Sequence, residues 1–324
     1  SSSAASDVYK RQIVEQALKD LDYPSEPSGL YEPIRYILDG GGKRLRPVLV
    51  LASCEAFGAP VETSVNQAVA IEMFHNFTLL HDDVMDRADM RRGRPTVHKK
   101  WDERTAILSG DAMLTLSGMI SGRGCSDSQL RNVTALMQRT AMQIYEGQQY
   151  DMDFETDRDV SVDDYLNMIR LKTAVLLGCA CALGAVMAGA DKKSVEAMYS
   201  YGERLGLAFQ LRDDLLDTYG DPIVFGKEIG GDILNDKKTW LLINAMAEDK
   251  SGVLAEEIVR PSEPAVKIER VREVYDLLGL PQRCQSLIDT YVDAAVALLD
   301  GVRITPAARN FFVRLAEQSR SRNY

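Results

Sequence analysis

Basic charge is in short supply in this chain. Its 324 residues include 48 Asp and Glu against 38 Lys and Arg and three His, for a net charge of −10. That balance argues against nucleic acid as a partner. It also means that an anionic substrate needs locally gathered cations or a bridging metal. Cysteine is sparse as well. Cys54, Cys125, Cys179, Cys181 and Cys284 are odd in number and scattered without metal-ligand spacing, which excludes a disulfide framework and points to reduced thiols in a cytoplasmic protein. No Pro/Gly/Ser-rich linker interrupts the sequence, so one domain over residues 1–324 is the simplest organisation. No signal peptide is evident, and Ser1-Ser2-Ser3-Ala4-Ala5-Ser6 reads as a disordered tail. Alternating β-branched runs are scarce, which excludes a sheet-based fold. One apolar run, 174–190, invites a membrane reading, but it is short for a span, rich in Gly and small residues, and directly follows Lys172. It reads as a buried helix in close contact with its neighbours, and no transmembrane segment is expected.

What remains is helical periodicity almost throughout. Amphipathic or apolar helices are expected over 7–21, 33–38, 47–57, 62–86, 104–120, 126–152, 161–190, 193–218, 237–247, 265–278, 281–299 and 306–318. About a dozen helices with short connections make an all-α chain, a single large bundle around a central cavity.

Two Asp-Asp-x-x-Asp clusters stand out: Asp82-Asp83-Val84-Met85-Asp86 and Asp213-Asp214-Leu215-Leu216-Asp217. On a helix the first and last Asp of each share a face, where like charges repel by a few tenths of a kcal/mol. Folding has no use for that arrangement twice. Hard divalent cations do, because Mg²⁺ binds through one or two carboxylates and completes its shell with water and substrate phosphates.

Cations are grouped around these clusters. Gly40-Gly41-Gly42-Lys43-Arg44-Leu45-Arg46-Pro47 precedes the first, and its glycines let backbone N–H groups come close to a ligand while Lys43 and Arg46 supply charge. Arg91-Arg92-Gly93-Arg94 follows it, and a guanidinium fork suits phosphate oxygens. Lys172-Thr173 lies between the clusters; Lys227, Lys237 and Lys238 come after the second. Two carboxylate triads ringed by cations fit a diphosphate ester bridged to the protein by Mg²⁺.

The ordered set Gly-Gly-Lys-Arg-Leu-Arg-Pro, His81-Asp82-Asp83, Arg91-Arg92-Gly93, Gly147-Gln148 with Asp151, Lys172-Thr173, Phe209-Gln210-Leu211-Arg212-Asp213-Asp214, Lys227 and Lys237 resembles the trans-isoprenyl diphosphate synthases, or polyprenyl synthetases, over residues 30 to 320. The resemblance implies the isoprenoid synthase-type fold and a Mg²⁺-dependent condensation of isopentenyl diphosphate with an allylic diphosphate (dimethylallyl, geranyl or farnesyl). By resemblance, Asp82, Asp86 and Asp213 hold three Mg²⁺ ions. Arg91, Lys172 and Lys227, with Lys237 nearby, grip the allylic diphosphate, and Lys43, Arg46, His75 and Arg92 receive isopentenyl diphosphate. Thr173, Gln210 and the Lys172 carbonyl face the allylic cation as dipoles. His81 supports Asp82 or packs at the cavity wall. The resemblance and the small-residue helix both favour a homodimer.

Members of such a family differ in where the growing chain meets a wall, along the helix before the first cluster. Here Phe77 and Thr78 lie five and four positions upstream of Asp82, with Phe74 and Met73 a turn further on. Phe77 is only about 7 Å along the axis from Asp82, so its ring implies a short product, farnesyl to geranylgeranyl diphosphate (C15–C20). The two-residue spacing of the first cluster resembles archaeal-type geranylgeranyl synthases. Three other readings compete. A terpene cyclase would not need Lys43, Arg46 and Arg92, and its Asn/Asp-Ser/Thr-Glu metal motif is not evident. A di-iron bundle needs two Glu-x-x-His pairs, and only Glu72-Met73-Phe74-His75 supplies one. A non-catalytic subunit should have eroded Asp motifs, whereas both are intact.

Overall fold

In chain order the helices of the computed structural model, which describes residues 2–225 and 228–321, are α1 (Ser2–Lys19), α2 (Ser28–Asp39), α3 (Leu45–Ala56), α4 (Val65–Met85), α5 (Val97–Lys100), α6 (Glu103–Ser121), α7 (Asp127–Phe154), α8 (Val162–Ile169), α9 (Val175–Met187), α10 (Lys192–Tyr219), α11 (Pro222–Phe225), α12 (Gly231–Leu234), α13 (Trp240–Glu248), α14 (Val253–Val259), α15 (Pro264–Leu277), α16 (Leu280–Leu298) and α17 (Pro306–Ser321). Among the described residues the only strands are β1 (Met90–Arg91) and β2 (Arg94–Pro95), a single short hairpin. The all-α reading holds.

Local chemistry sets several boundaries. The Asp102 carboxylate accepts the Thr105 N–H at 2.7 Å and opens α6, and Ser161 and Asp164 form a reciprocal capping box at α8. Three expectations need correcting. Residues 2–6 are helical and not a disordered tail, since α1 begins at Ser2, and Ser1 lies outside the described residues. With no Gly or Pro to stop it the helix runs on, and Lys10 donates to Ser6 at 2.7 Å while pairing with Glu55 at 2.6 Å. The helix expected from Pro33 begins at Ser28 and carries Pro33 inside it. The helix expected from Lys237 starts at Trp240, because the Thr239 hydroxyl accepts the Leu242 N–H and caps it; Lys237 and Lys238 lie in the preceding turn.

Two compact units are distinguishable. The first comprises Ser1–Gln138, Cys179–Met198 and Arg303–Arg309, the second Arg139–Gly178, Tyr199–Val302 and Asn310–Tyr324. In the first, α4 packs along α6, with the Ser117 hydroxyl donating to the Ala70 carbonyl at 2.7 Å across their contact. The C-terminal part of α9 lies so close to α3 that a Cβ on Gly184 would fall 2.2 Å from the Val50 carbonyl oxygen. In the second unit, Gly206 of α10 leaves the same kind of space for Ala174, and the Tyr201 hydroxyl donates to the Phe312 carbonyl at 2.6 Å.

The apolar run is therefore a core element. Residues Val162–Met187 are long and apolar enough to cross a membrane, yet 83% of the most apolar window is buried inside the protein. Its small residues meet the chain's own α3 and α10. They supply no argument for a contact between copies.

Candidate active site

The first acidic cluster closes α4. The Asp86 N–H bonds the Asp82 carbonyl at 2.8 Å, so the helical path continues to Asp86 and places it four residues on from Asp82, on one face. Asp82 is half-buried and Asp86 exposed, whereas Asp83 is buried. The Asp83 carboxylate accepts both arms of the Arg91 fork, from Nε and Nη2, each at 2.8 Å. The three aspartates thus divide into an outward pair and one internal anchor. Arg91, expected on the allylic diphosphate, has two of its donors committed to that anchor.

Arg91 begins a hairpin that explains the presentation of Arg92. Arg91 pairs with Arg94 and Met90 with Pro95, leaving Arg92-Gly93 as a two-residue loop with φ of 52° and 73°. Two successive left-handed residues make the type I′ turn whose twist matches the strands it joins. The hairpin is pinned to α2. The Tyr36 hydroxyl donates to the Pro95 carbonyl at 2.7 Å, and the Arg94 guanidinium lies 3.8 Å from the centre of the Tyr36 ring.

Behind the acidic cluster the first unit gathers cations. Arg46 Nη1 lies 3.3 Å from His75 Nε2. Burial, and then the guanidiniums of Arg46, Arg92, Arg91 and Arg44, hold the His75 imidazole well below its ordinary pKa. It is therefore neutral and accepts from Arg46. Burial also lowers the pKa values of Arg46 and Arg92. Among the described residues neither forms an ion pair with a carboxylate, and the buried Arg46 Nε has no partner. A buried donor without an acceptor is costly, and an anion placed here removes the cost. Lys43 is exposed beside them. Arg44 differs: it is buried and bonded to Glu15 at 2.8 Å, Glu72 at 2.8 Å and the Leu38 carbonyl at 2.6 Å. Glu72 is thereby engaged, which removes the Glu-x-x-His pair from metal duty.

The expected product wall is apolar and packed. Phe74 and Phe77 are buried, with ring centres 5.4 Å apart, and Phe77 meets His81 edge-on at 5.0 Å. Thr78 is half-buried, its hydroxyl donating to the His75 carbonyl at 2.6 Å. His81 packs on Phe77, and its Nε2 lies 2.9 Å from the Ile107 carbonyl of α6.

In the second unit Lys172 and Thr173 occupy a π-helical turn, Arg170–Ala174, between α8 and α9. There the Val175 N–H reaches back five residues to the Arg170 carbonyl. Such single π turns inside α-helices recur at functional sites, because the shifted register releases a carbonyl from its usual partner. Lys172 Nζ pairs with Asp151 of α7 at 2.5 Å. That approach depends on Gly147, where a Cβ would stand 2.3 Å from the Lys172 nitrogen. Gly147→Ala must push α7 off the π turn. We expect it to destabilise the fold by roughly 1–3 kcal/mol and to lower activity, read by thermal unfolding and turnover. A variant matching the parent in both would show that the approach is not needed.

The second cluster repeats the division of the first. Asp213 is exposed on α10, and Asp214 is buried. The Tyr165 hydroxyl and Gln210 Nε2, the latter at 3.3 Å, both donate to the Asp214 carboxylate, and burial raises its pKa to about 7. Asp217 accepts the Asp232 N–H at 2.9 Å at the start of α12. Lys237 lies 3.6 Å from Asp232, and the carboxylates of Asp214, Asp232 and Asp151 support its charge against burial. Lys227 falls outside the described residues. Tyr165, the partner of Asp214, lies 49 residues away, so no local pattern in the sequence marks it.

The donor set suits one kind of metal. Among the described residues no group of three or more His, Cys, Asp or Glu is arranged to hold an ion, which is a poor match for Zn²⁺ or a di-iron pair. Mg²⁺ takes one or two carboxylates and completes its shell with water and phosphate oxygens. Asp82 with Asp86, and Asp213, fit that requirement.

Comparison with known proteins identifies the family. Residues 27–278 match the family model described as Polyprenyl synthetase. A geranylgeranyl diphosphate synthase from Methanosarcina mazei is 35% identical over 312 residues, covering 96% of this chain and 95% of that one. A geranylfarnesyl diphosphate synthase from Natronomonas pharaonis is 36% identical over 295 residues, covering 82% and 86%. A crystal structure of a geranylgeranyl pyrophosphate synthase superposes with a TM-score of 0.93 at 43% identity, over 98% of this chain and 99% of that one. The chain belongs to the polyprenyl synthetase family, the enzymes of prenyl chain elongation.

Proposed function

We propose that this protein condenses isopentenyl diphosphate with an allylic diphosphate, head to tail, to give farnesyl or geranylgeranyl diphosphate and inorganic diphosphate. The observation that carries the proposal is the repeated division of labour in the two acidic clusters: Asp83 and Asp214 are buried on internal partners, while Asp86 and Asp213 are exposed. Asp82, Asp86 and Asp213 would hold Mg²⁺, three ions per site by family resemblance. Magnesium, when bound, supplies positive charge to the departing diphosphate. Lys172, Lys227 and Lys237, with the remaining donors of Arg91, bind that diphosphate. Lys43, Arg46, neutral His75 and Arg92 bind isopentenyl diphosphate. The allylic C1–O bond breaks, and the C3–C4 double bond of isopentenyl diphosphate joins its C4 to C1. A proton then leaves C2 for the released diphosphate. Thr173, Gln210 and the Lys172 carbonyl offer oxygen dipoles to the allylic cation, and the π turn suits such a carbonyl. With Gln210 Nε2 on Asp214, its oxygen is the end left for that role.

Phe77 and Phe74, with Thr78 beside them, set the length at C15–C20. We treat the whole chain as one prenyltransferase domain, working as a cytoplasmic homodimer. All five cysteines are unbridged, in keeping with a reducing compartment. For the dimer the support is α6, where Leu108 and Met119 are 59% and 61% exposed with Ala112 and Thr115 between them on one stripe. Sedimentation should give about twice the 36.0 kDa chain mass, and Leu108→Glu with Met119→Glu should halve it; a monomeric parent would end the dimer reading. The reaction is tested by incubating the protein with Mg²⁺, isopentenyl diphosphate and each of the three allylic diphosphates, measuring diphosphate release and product length. Failure to consume isopentenyl diphosphate with every partner would sink the synthase reading.

A further inference from the structure

Beyond the residues that meet substrate, one face of the first helix reaches the isopentenyl diphosphate site. Arg11 and Glu15 are four apart on α1 and share that face. Arg11 Nη2 donates to the Gly42 carbonyl at 2.9 Å, and Glu15 Oε1 accepts from Arg44 Nε at 2.8 Å. The two contacts bracket Lys43. Helix α1 lies ahead of the stretch that matches the family model, and neither residue belongs to a motif of the sequence.

The turn they hold has little rigidity of its own. Gly41 and Gly42 have φ of 75° and 132°, and glycine has many alternatives of similar energy; Arg44 closes the turn at 52°. Two guanidiniums restrict them: Arg92 Nη1 donates to the Gly41 carbonyl and Arg11 to the Gly42 carbonyl. In a planar trans peptide the N–H points opposite to the C=O. Drawing these two carbonyls to the arginines therefore turns the Gly42 and Lys43 N–H groups the other way. Glu15 acts on the far side. Together with Glu72 it balances the buried charge of Arg44, while Arg46 and Arg92 pair with no carboxylate among the described residues.

We infer that α1, through Arg11 and Glu15, positions the Gly41–Arg44 turn for isopentenyl diphosphate, so that Arg11 is a positioning residue specific to that substrate. This rests on the assignment of Lys43, Arg46, His75 and Arg92 to isopentenyl diphosphate made above. Glu15 is a poor probe, because its loss leaves Arg44 buried with less countercharge and endangers folding. Arg11 is exposed and can be changed safely.

The test is steady-state kinetics of Arg11→Ala, Arg11→Lys and Arg46→Ala, varying isopentenyl diphosphate at saturating geranyl diphosphate and the reverse, with a thermal melt of each variant. Arg11→Ala should raise KM for isopentenyl diphosphate about three- to tenfold, the net weight of one ordinary hydrogen bond, since solvent screens the exposed guanidinium. KM for geranyl diphosphate, kcat and Tm should stay at parental values, and Arg11→Lys should recover most of the loss. If Arg46→Ala raises KM for isopentenyl diphosphate while Arg11→Ala leaves it unchanged, or raises both KM values alike, the role of α1 is refuted and the site assignment stands. If Arg46→Ala has no effect on that KM, the site assignment falls and takes this inference with it.

Discussion

Asp82→Ala should lose about a thousandfold or more in kcat/KM. A carboxylate that holds a catalytic dication supports several kcal/mol of transition-state charge stabilisation, and each 1.36 kcal/mol is tenfold in rate. Removing one of two like charges at i and i+4 also relieves a repulsion of a few tenths of a kcal/mol, small beside the catalytic loss. The neighbouring residue should show its effect in stability. Asp83 is 4% exposed and carries the Arg91 fork, so Asp83→Ala leaves a guanidinium without its partner and should cost about 2–4 kcal/mol of folding free energy, a little under a fully enclosed pair because Arg91 is 31% exposed. Diphosphate release and chemical denaturation of the two variants side by side decide the matter. An Asp82→Ala enzyme within tenfold of the parent would remove Asp82 from the metal site.

Phe77→Ala should lengthen the principal product by at least one isoprene unit. Phe77 is 5% exposed and stands between Phe74 and His81 in a column of rings one turn above Asp82. Truncation removes a phenyl ring, roughly the bulk of one isoprene unit, at a folding cost of about 3–5 kcal/mol. The product distribution, unlike the rate, is insensitive to the fraction of enzyme lost to unfolding. The converse change, Thr78→Phe, adds a ring at a half-buried position and should shorten the product. Chromatography of the dephosphorylated products with geranyl and farnesyl starters measures both. An unchanged distribution in Phe77→Ala would take the ruler away from this side chain.

Much of the site was legible because its chemistry is local. Spacing alone put Asp82 and Asp86 on one face, and Arg46 and Arg92 were identifiable as cations beside glycine-rich turns. What was not legible depends on distant partners. Nothing near Asp214 announces that Tyr165 will bury it, and nothing in Gly40–Arg46 says that Arg44 is structural while Arg46 is not; Glu15, Glu72 and the Leu38 carbonyl decide that. The helix expected over 161–190 was found, but its π turn was not, since Arg170-Leu171-Lys172-Thr173-Ala174 contains no Gly or Pro to mark it. By contrast the late start of α13 is legible, since Thr239 before an apolar run is an N-cap signal. The chain's first residues misled through composition, since a Ser/Ala tract without breakers is as able to extend a helix as to be disordered.

The π turn at Arg170–Ala174 amounts to one extra residue threaded into an otherwise continuous helix. Deleting any one of its five residues would restore ordinary α geometry, and every side chain from Val175 onward would then swing by about 100° and retreat about 1.5 Å along the axis. Gly178 and Gly184 would no longer meet Tyr199 and Val50, whose backbone oxygens leave no room for a Cβ. A one-residue deletion there should therefore be far more damaging than any substitution at the same positions. The chain can change the chemistry of that turn, but not its length.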